Sequence, residues 1–240
     1  MTNDITIKAD ILLFDLDGTL VNSTLAVEKT WEDQINIHNK AFPDKFIDLT
    51  TFLHGSHGVR TSETFARSFP ELKNDKETID AWELQIVKKY GYLGKQIEGA
   101  ISTMDNITKQ NIPWAIVTSG TTDLAHSWFT TIFKSVQKPK VFITAHDVSQ
   151  GKPNPEGYCS AFESLKKIYK LGDSAKGVVF EDAPNGVRAG VNGGFTVVGI
   201  ASSFSKEVLV GVGATYVVED FTKVKINKVG DKVELELEVL

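Results

Sequence analysis

The sequence predicts an α/β fold: a parallel sheet with helices on both faces and a helical segment inserted near its start. Three observations lead there. Short apolar runs recur, among them Ile11-Leu12-Leu13-Phe14, Trp114-Ala115-Ile116-Val117 and Gly177-Val178-Val179-Phe180, and unbroken runs of this length suit strands buried on both faces. Segments of helical periodicity alternate with them, the order of a sheet built from crossover connections. Between the first two runs lies a long stretch, Asn22 to about Lys95, that is helix-rich and has no such run.

In chain order, Ile11 to Phe14 is a strand that breaks at Asp15-Leu16-Asp17-Gly18, where the glycine permits a tight change of direction. Ala26 to Lys40 is an amphipathic helix with Val27, Trp31 and Ile35 on one face, and Phe42-Pro43 ends it. Thr61 to Phe69 and Asp75 to Tyr90 are two more helices, with Trp31 and Trp82 expected in the core. The loop Leu53 to Thr61 carries two glycines, two histidines and an arginine, and Tyr90 to Gly94 is a hinge. The alternation then resumes: helix Gly99 to Gln110, strand Trp114 to Val117, helix Thr122 to Phe133, strand Val141 to Ile143, and a rigid loop Gly151 to Glu156 followed by a helix through about Lys170. Strand Gly177 to Phe180, helix Asn185 to Gly193, and strands Phe195 to Ile200 and Thr215 to Val218 complete it. The tail alternates apolar and charged residues around Gly230-Asp231, a period of two that predicts a hairpin with one wet face.

Bulk composition narrows the function. The 240 residues suit one large domain or a core with an inserted lobe. With 26 basic against 31 acidic residues the net charge is −5, which disfavours a broad nucleic-acid surface but leaves room for a small cationic pocket that takes an anionic metabolite. The single cysteine, Cys159, excludes an intrachain disulfide and fits a reducing compartment; it is expected to be a buried structural thiol. No apolar run approaches membrane-spanning length and no signal core precedes Asp10, so a cytoplasmic protein is expected, acting as a monomer without a membrane partner.

The chemistry gathers at strand ends. Asp15 and Asp17 close the first strand, Thr118 and Ser119 the second, and Glu181 and Asp182 a later one, while Lys152 follows a strand after a short loop. In an open parallel sheet these ends share one edge. Two carboxylates as close as Asp15 and Asp17 repel each other, which calls for Mg²⁺ or for a division into acid and base. Thr118 and Ser119 offer a hydroxyl and amides to phosphate oxygens.

Asp15-Leu16-Asp17-Gly18-Thr19, Val117-Thr118-Ser119-Gly120, Gly151-Lys152-Pro153 and Phe180-Glu181-Asp182-Ala183-Pro184 resemble, in order, the motifs of the haloacid-dehalogenase-like (HAD) hydrolases. The resemblance implies a Rossmann-like core over residues 1–21 and 96–240 and a helical C1 cap over residues 22–95. Ser56-His57-Gly58, Trp114 to Gly120, Lys138 to Thr144 and Gly151 to Tyr158 further resemble the fungal 2-deoxyglucose-6-phosphate phosphatases and their glycerol-3-phosphate phosphatase relatives. Ser127-Trp128-Phe129 favours the deoxyglucose branch, whereas the Leu53 and Val59 flanks of the cap loop match neither strictly.

What the resemblance implies is a Mg²⁺-dependent phosphomonoesterase acting on a small sugar or polyol phosphate. Asp15 is then the nucleophile that becomes an aspartyl-phosphate, Asp17 the acid and base, and Lys152 a neutralising cation. Thr118 and Ser119 hold phosphate oxygens. The metal takes Asp15, Asp182 and the Asp17 backbone carbonyl, with Glu181 as a further ligand. His54, His57 and Arg60 are expected to read the organic part of the substrate; Arg60 stands where related sugar-phosphate mutases carry a cap arginine. A glycerol-3-phosphate phosphatase, a phosphosugar mutase and a non-catalytic phosphometabolite-binding protein are the alternatives.

Overall fold

The computed structural model describes residues 3–240. The chain opens with strands β1 (Asn3–Ala9), β2 (Ile11–Phe14) and β3 (Val21–Asn22). Helices α1 (Thr24–Ala41), α2 (Leu49–His54), α3 (Thr61–Ser68) and α4 (Lys76–Tyr90) follow with no strand between them, and β4 (Lys95–Gln96) ends the run. Helices and strands then alternate: α5 (Ala100–Lys109), β5 (Trp114–Val117), α6 (Thr122–Thr131), β6 (Val141–Ile143), α7 (Glu156–Tyr169), β7 (Gly177–Glu181) and α8 (Pro184–Asn192). After them come β8 (Thr196–Ile200), α9 (Lys206–Gly211), β9 (Tyr216–Val218), β10 (Val224–Val229) and β11 (Lys232–Val239).

The central sheet has six strands in the order β6-β5-β2-β7-β8-β9, and every pairing is parallel. β2 is an inner strand, and its side chains alternate between two cores. Leu12 and Phe14 join a core that holds Trp114, Ile116 and Phe180, while Ile11 and Leu13 join another with Ala115, Val117 and Val179. This two-sided burial is why the strands read as unbroken apolar runs. Phe14 stacks on Phe180 with ring centroids 4.7 Å apart, tying β2 to β7 directly below the acidic strand ends.

The chain leaves and re-enters the sheet region through a two-stranded ribbon in which Val21 pairs with Gln96 and Asn22 with Lys95. Everything between those strands is helical or turn. The helices close around Trp31, whose ring meets Trp82 at 4.1 Å, Phe52 at 5.1 Å and Phe69 at 5.9 Å between centroids. The Asp75 side chain caps α4 by accepting from the Thr78 amide, satisfying a donor the helix start leaves free.

Three elements depart from the sequence expectation. The tail hairpin, β10 with β11, gains a third strand, because β1 pairs antiparallel with β11 from Asn3↔Val239 to Ala9↔Val233. Ile5, Ile7 and Ala9 alternate with polar residues, but the partner that makes a strand of them lies at the other end of the chain. Helices α2 and α9, six residues each, are too short to carry a periodicity of their own. Cys159 is half-buried rather than sequestered, so its expected place in the core is corrected. Among the described residues no helix is long and apolar enough to cross a membrane.

Candidate active site

The strand ends converge around one lysine. Lys152 Nζ, on the loop before α7, donates to Asp15 Oδ1 at 2.6 Å, to Glu181 Oε1 at 2.7 Å and to the Val117 carbonyl at 3.1 Å. It thereby joins the ends of β2, β5 and β7. Although burial works against its charge, Asp15 and Glu181 hold the ammonium protonated above its ordinary range. The Asp15 amide donates to the Phe180 carbonyl, which continues the β2–β7 pairing and fixes the backbone beneath the carboxylate.

Glu181 has all its accepting positions engaged. Oε1 also accepts from the Tyr158 hydroxyl at 3.0 Å, and Oε2 takes the amides of Asp182 and Ala183 at 2.9 and 3.1 Å. A Cβ at Gly186, on the first turn of α8, would fall 1.5 Å from Oε1. Only a glycine there lets the helix start close over this carboxylate.

Asp182 reaches toward Asp15. The two acids and Glu181 each place an oxygen within 4.8 Å of the others, all buried. Thr19 Oγ1 donates to Asp182 Oδ1 at 3.3 Å. Gly18 turns at φ +88°, and a Cβ on it would lie 2.0 Å from Asp182 Oδ2, so this turn too requires glycine. Burial pushes Asp15 up to about 7 and, with repulsion from Glu181 and Asp15, drives Asp182 well above the usual carboxylate range. Three buried carboxylates against one ammonium have to be compensated, by protons or by a further cation. An oxygen-rich, acidic pocket of this kind fits a hard divalent cation.

Asp17 sits at the start of the turn, where Ser23 Oγ donates to its Oδ1 at 2.6 Å and burial raises its pKa. Opposite it, Thr118 Oγ1 accepts the Gly120 amide at 3.0 Å, and the Thr118 hydroxyl interacts with Asp17, partly offsetting the rise that burial causes there. Ser119 Oγ donates to the Gly58 carbonyl at 2.9 Å, so the loop before α3 rests on the loop after β5.

A cleft opens over Asp15, Asp17 and Asp182. Its far wall comes from the helical segment and includes Trp31, His57, Thr61, Trp82 and Glu83. Of the three residues expected to read the substrate, the structure brings only His57 to this cleft, paired with Glu28 at 3.3 Å and shifted below its usual pKa by burial. His54 faces outward and its Nδ1 meets the Thr50 carbonyl at 2.8 Å. Arg60 is engaged elsewhere: Nε donates to Glu63 at 2.7 Å, and the guanidinium reaches the carbonyls of Val148 and Ser149 at 3.3 and 3.4 Å. It straps the helical segment to the core outside the cleft. The cleft over the strand ends is acidic, while His54 and His57 line a neighbouring pocket together with Arg67, Lys152 and Arg188. Among the described residues the cleft is lined by four acids and a histidine, with no lysine or arginine; Lys152 lies behind Asp15.

Sequence reasoning missed Glu83. It lies on α4 between Ile79 and Ile86, on a face that is otherwise apolar, and that interruption was the available signal. Glu83 Oε1 accepts from the Thr61 hydroxyl at 2.6 Å and Oε2 from the Thr121 amide at 2.7 Å, bridging the helical segment and the N-cap of α6. Burial pushes its carboxyl up to about 7, from 4.5. Between those values the folded chain binds more protons than the unfolded one, so this group's contribution makes stability fall as pH rises from about 4.5 to about 7. Glu83→Gln can meet both partners, its carbonyl accepting from the Thr121 amide and its NH2 donating to the Thr61 hydroxyl oxygen, and it removes the charge. It is expected to raise stability by up to ~3 kcal/mol at pH 8 and by much less at pH 5. Thermal denaturation at the two pH values checks this; a difference independent of pH would refute it.

Comparison with known proteins gives the following. A family model described as haloacid dehalogenase-like hydrolase matches residues 9–194. 2-Deoxyglucose-6-phosphate phosphatase 1 of Saccharomyces cerevisiae is 44% identical over 92% of each chain. Glycerol-1-phosphate phosphohydrolase 1 of the same yeast is 35% identical over 98% of this chain and 92% of its own. Hexitol phosphatase A of Escherichia coli is 32% identical over 78% of this chain and 81% of its own. Among solved structures, a hydrolase from Pseudomonas syringae superposes with a TM-score of 0.69 at 22% identity, covering 89% of this chain and 94% of that one, a likeness that bears on the fold.

Proposed function

The chain belongs to the haloacid dehalogenase-like hydrolase family and is a phosphoric monoester hydrolase, and we propose that it is a Mg²⁺-dependent enzyme that hydrolyses a sugar or polyol monophosphate of the 2-deoxyglucose-6-phosphate kind through an aspartyl-phosphate. The observation that carries this is the junction of Asp15, Lys152 and Asp182 beneath a cleft in which Asp17 faces the helical segment. We read residues 22–95 as a cap over residues 1–21 and 96–240.

A phosphate dianion meets net negative charge in this cleft, so added positive charge has to accompany it. Asp15, Asp182 and the Asp17 carbonyl would hold Mg²⁺, which neutralises phosphate charge when bound. Glu181, with both oxygens engaged, orients Lys152 and the loop after β7 instead of ligating. Lys152 holds the Asp15 carboxylate in place, and one Asp15 oxygen attacks phosphorus in line with the ester oxygen. As the P–O bond to the alcohol breaks, Asp17 gives that oxygen a proton. Asp17 then takes a proton from water as the water attacks phosphorus of the acyl-phosphate, releasing inorganic phosphate and restoring Asp15. The Thr118 hydroxyl and the Ser119 amide hold the phosphate oxygens through both steps.

The relatives named for 2-deoxyglucose-6-phosphate, glycerol 1-phosphate and hexitol phosphates support a substrate whose alcohol part is a small sugar or polyol. The absence of a lining cation on the cap wall, among the described residues, favours hydrolysis of a monophosphate over migration of phosphate within a sugar, which has to seat a second phosphoryl group. The test is phosphate release from 2-deoxyglucose-6-phosphate, glycerol phosphates and hexitol phosphates with Mg²⁺, then with EDTA. Release that EDTA stops and Mg²⁺ restores is expected. No release from any ester, including 4-nitrophenyl phosphate, would refute the hydrolase reading.

A further inference from the structure

Glu83 is an anomaly by its surroundings. The helical face that carries it packs Ile79, Trp82 and Ile86 inward, and Glu83 itself is 2% exposed. A carboxylate there is unfavourable unless something compensates it. Its protein partners do not require a charge, since an amide side chain would satisfy both the Thr61 hydroxyl and the Thr121 amide. No lysine or arginine is paired with it among the described residues, and it stands close enough to Asp17 for the two to repel. Yet it is the acid that the helical segment turns into the cleft.

We propose that Glu83 is a specificity-determining residue: it rejects phosphate esters whose alcohol part carries a second anionic group and accepts those whose alcohol part is a neutral polyol. This rests on the reading of the cleft as the site of phosphate monoester hydrolysis. The Thr61 hydroxyl, the Thr121 amide and the Thr121 hydroxyl engage the Glu83 carboxylate, which leaves it a remaining lone pair that suits a hydroxyl donor. The indole rings of Trp31 and Trp82, packed together beside it, give the carbon skeleton an apolar surface. A carboxylate or second phosphate in the same space would face a like charge in a partly desolvated cleft. At separations of about 5 Å that repulsion corresponds to a discrimination of roughly tenfold to a hundredfold. Selection then comes chiefly from refusal of the wrong alcohol, and the hydroxyl contacts add orientation.

The experiment compares kcat/KM at pH 8 with Mg²⁺ for neutral esters (glycerol phosphate, 2-deoxyglucose-6-phosphate) and anionic ones (phosphoglycolate, fructose-1,6-bisphosphate). At that pH a carboxyl held near 7 is charged. Wild type is expected to prefer the neutral set by about tenfold or more. In Glu83→Gln the neutral-to-anionic ratio should fall by about tenfold, mostly through a lower KM for the anionic esters, whereas Glu83→Asp, which keeps the charge, should retain most of the wild-type ratio. A Gln ratio within about twofold of wild type, or an equal change in Gln and Asp, overturns the proposal, because a purely structural role would not distinguish the two ester classes. If no ester is turned over, the hydrolase reading fails separately. Dissociation constants for the same esters by calorimetry then decide on Glu83 by the same shift in ratio.

Discussion

Asp15→Asn is expected to abolish phosphate release from every ester, by roughly 10⁴-fold or more, the scale on which removal of a single catalytic group acts. The carboxamide has the same shape but no anionic oxygen to attack phosphorus, and the aspartyl-phosphate cannot form. The fold should gain. Asp15 is buried beside Glu181 and Asp182, and its charge is among those that protons or a further cation have to compensate. In EDTA the variant should therefore melt at or above the wild-type temperature while turning over nothing. Residual turnover within about a hundredfold of wild type would show that another group attacks and would remove Asp15 from its assigned role. A large fall in melting temperature would instead mark Asp15 as mainly a partner for Lys152.

Lys152→Met is expected to damage both stability and chemistry. The ammonium is the cation between Asp15 and Glu181, 2.6 and 2.7 Å from their oxygens, and it is 7% exposed. Methionine fills similar space and leaves two carboxylates buried without their partner. Breaking a buried ion pair from one side costs about 3–5 kcal/mol. Asp15, which burial already raises, then favours the protonated form more strongly still, so the folded state binds the extra proton and the variant regains stability as pH falls from 8 toward 6. Denaturation in EDTA at the two pH values reads this directly. With Mg²⁺, kcat is expected to fall by about 10³-fold, since the charge that orients Asp15 is gone. A variant as stable as wild type at pH 8 would mean that the acids are neutral in the folded protein and that the lysine neutralises nothing.

The gathering of polar and acidic strand ends at one sheet edge was legible in the sequence for a physical reason. Asp15, Thr118 and Asp182 each follow a four- or five-residue apolar strand, and a strand buried on both faces leaves its signature in consecutive residues. Once the strands are parallel, their ends must share an edge, so no long-range information was needed to gather these groups. The loop from Leu53 to Thr61 was different. His54, His57 and Arg60 stand close in sequence, but seven residues of chain in a turn can point anywhere. The helix over Leu49–His54 turns His54 outward, Glu63 together with the Val148 and Ser149 carbonyls draws Arg60 away, and only His57 meets the cleft. Glu83 lay on a helix whose Trp82 was expected in the core, and it is the one acid among that helix's buried residues and lines the cleft wall.

The sequence by itself determined the α/β class, the helical insertion after β3, the one-wet-faced tail hairpin and the order in which the strand ends deliver carboxylates, hydroxyls and the lysine, because each of these is written in local periodicity and in the spacing of turn residues. The tertiary structure alone decided the rest. It closed the N-terminal strand onto β11, filled the accepting positions of Glu181, required glycine at 18 and 186, and made the cleft over the strand ends acidic. The physical reason is common to all four: they depend on which groups from distant parts of the chain come within hydrogen-bonding or van der Waals distance, and that is set by how the helices and loops pack over the sheet edge, not by any pattern within a single segment.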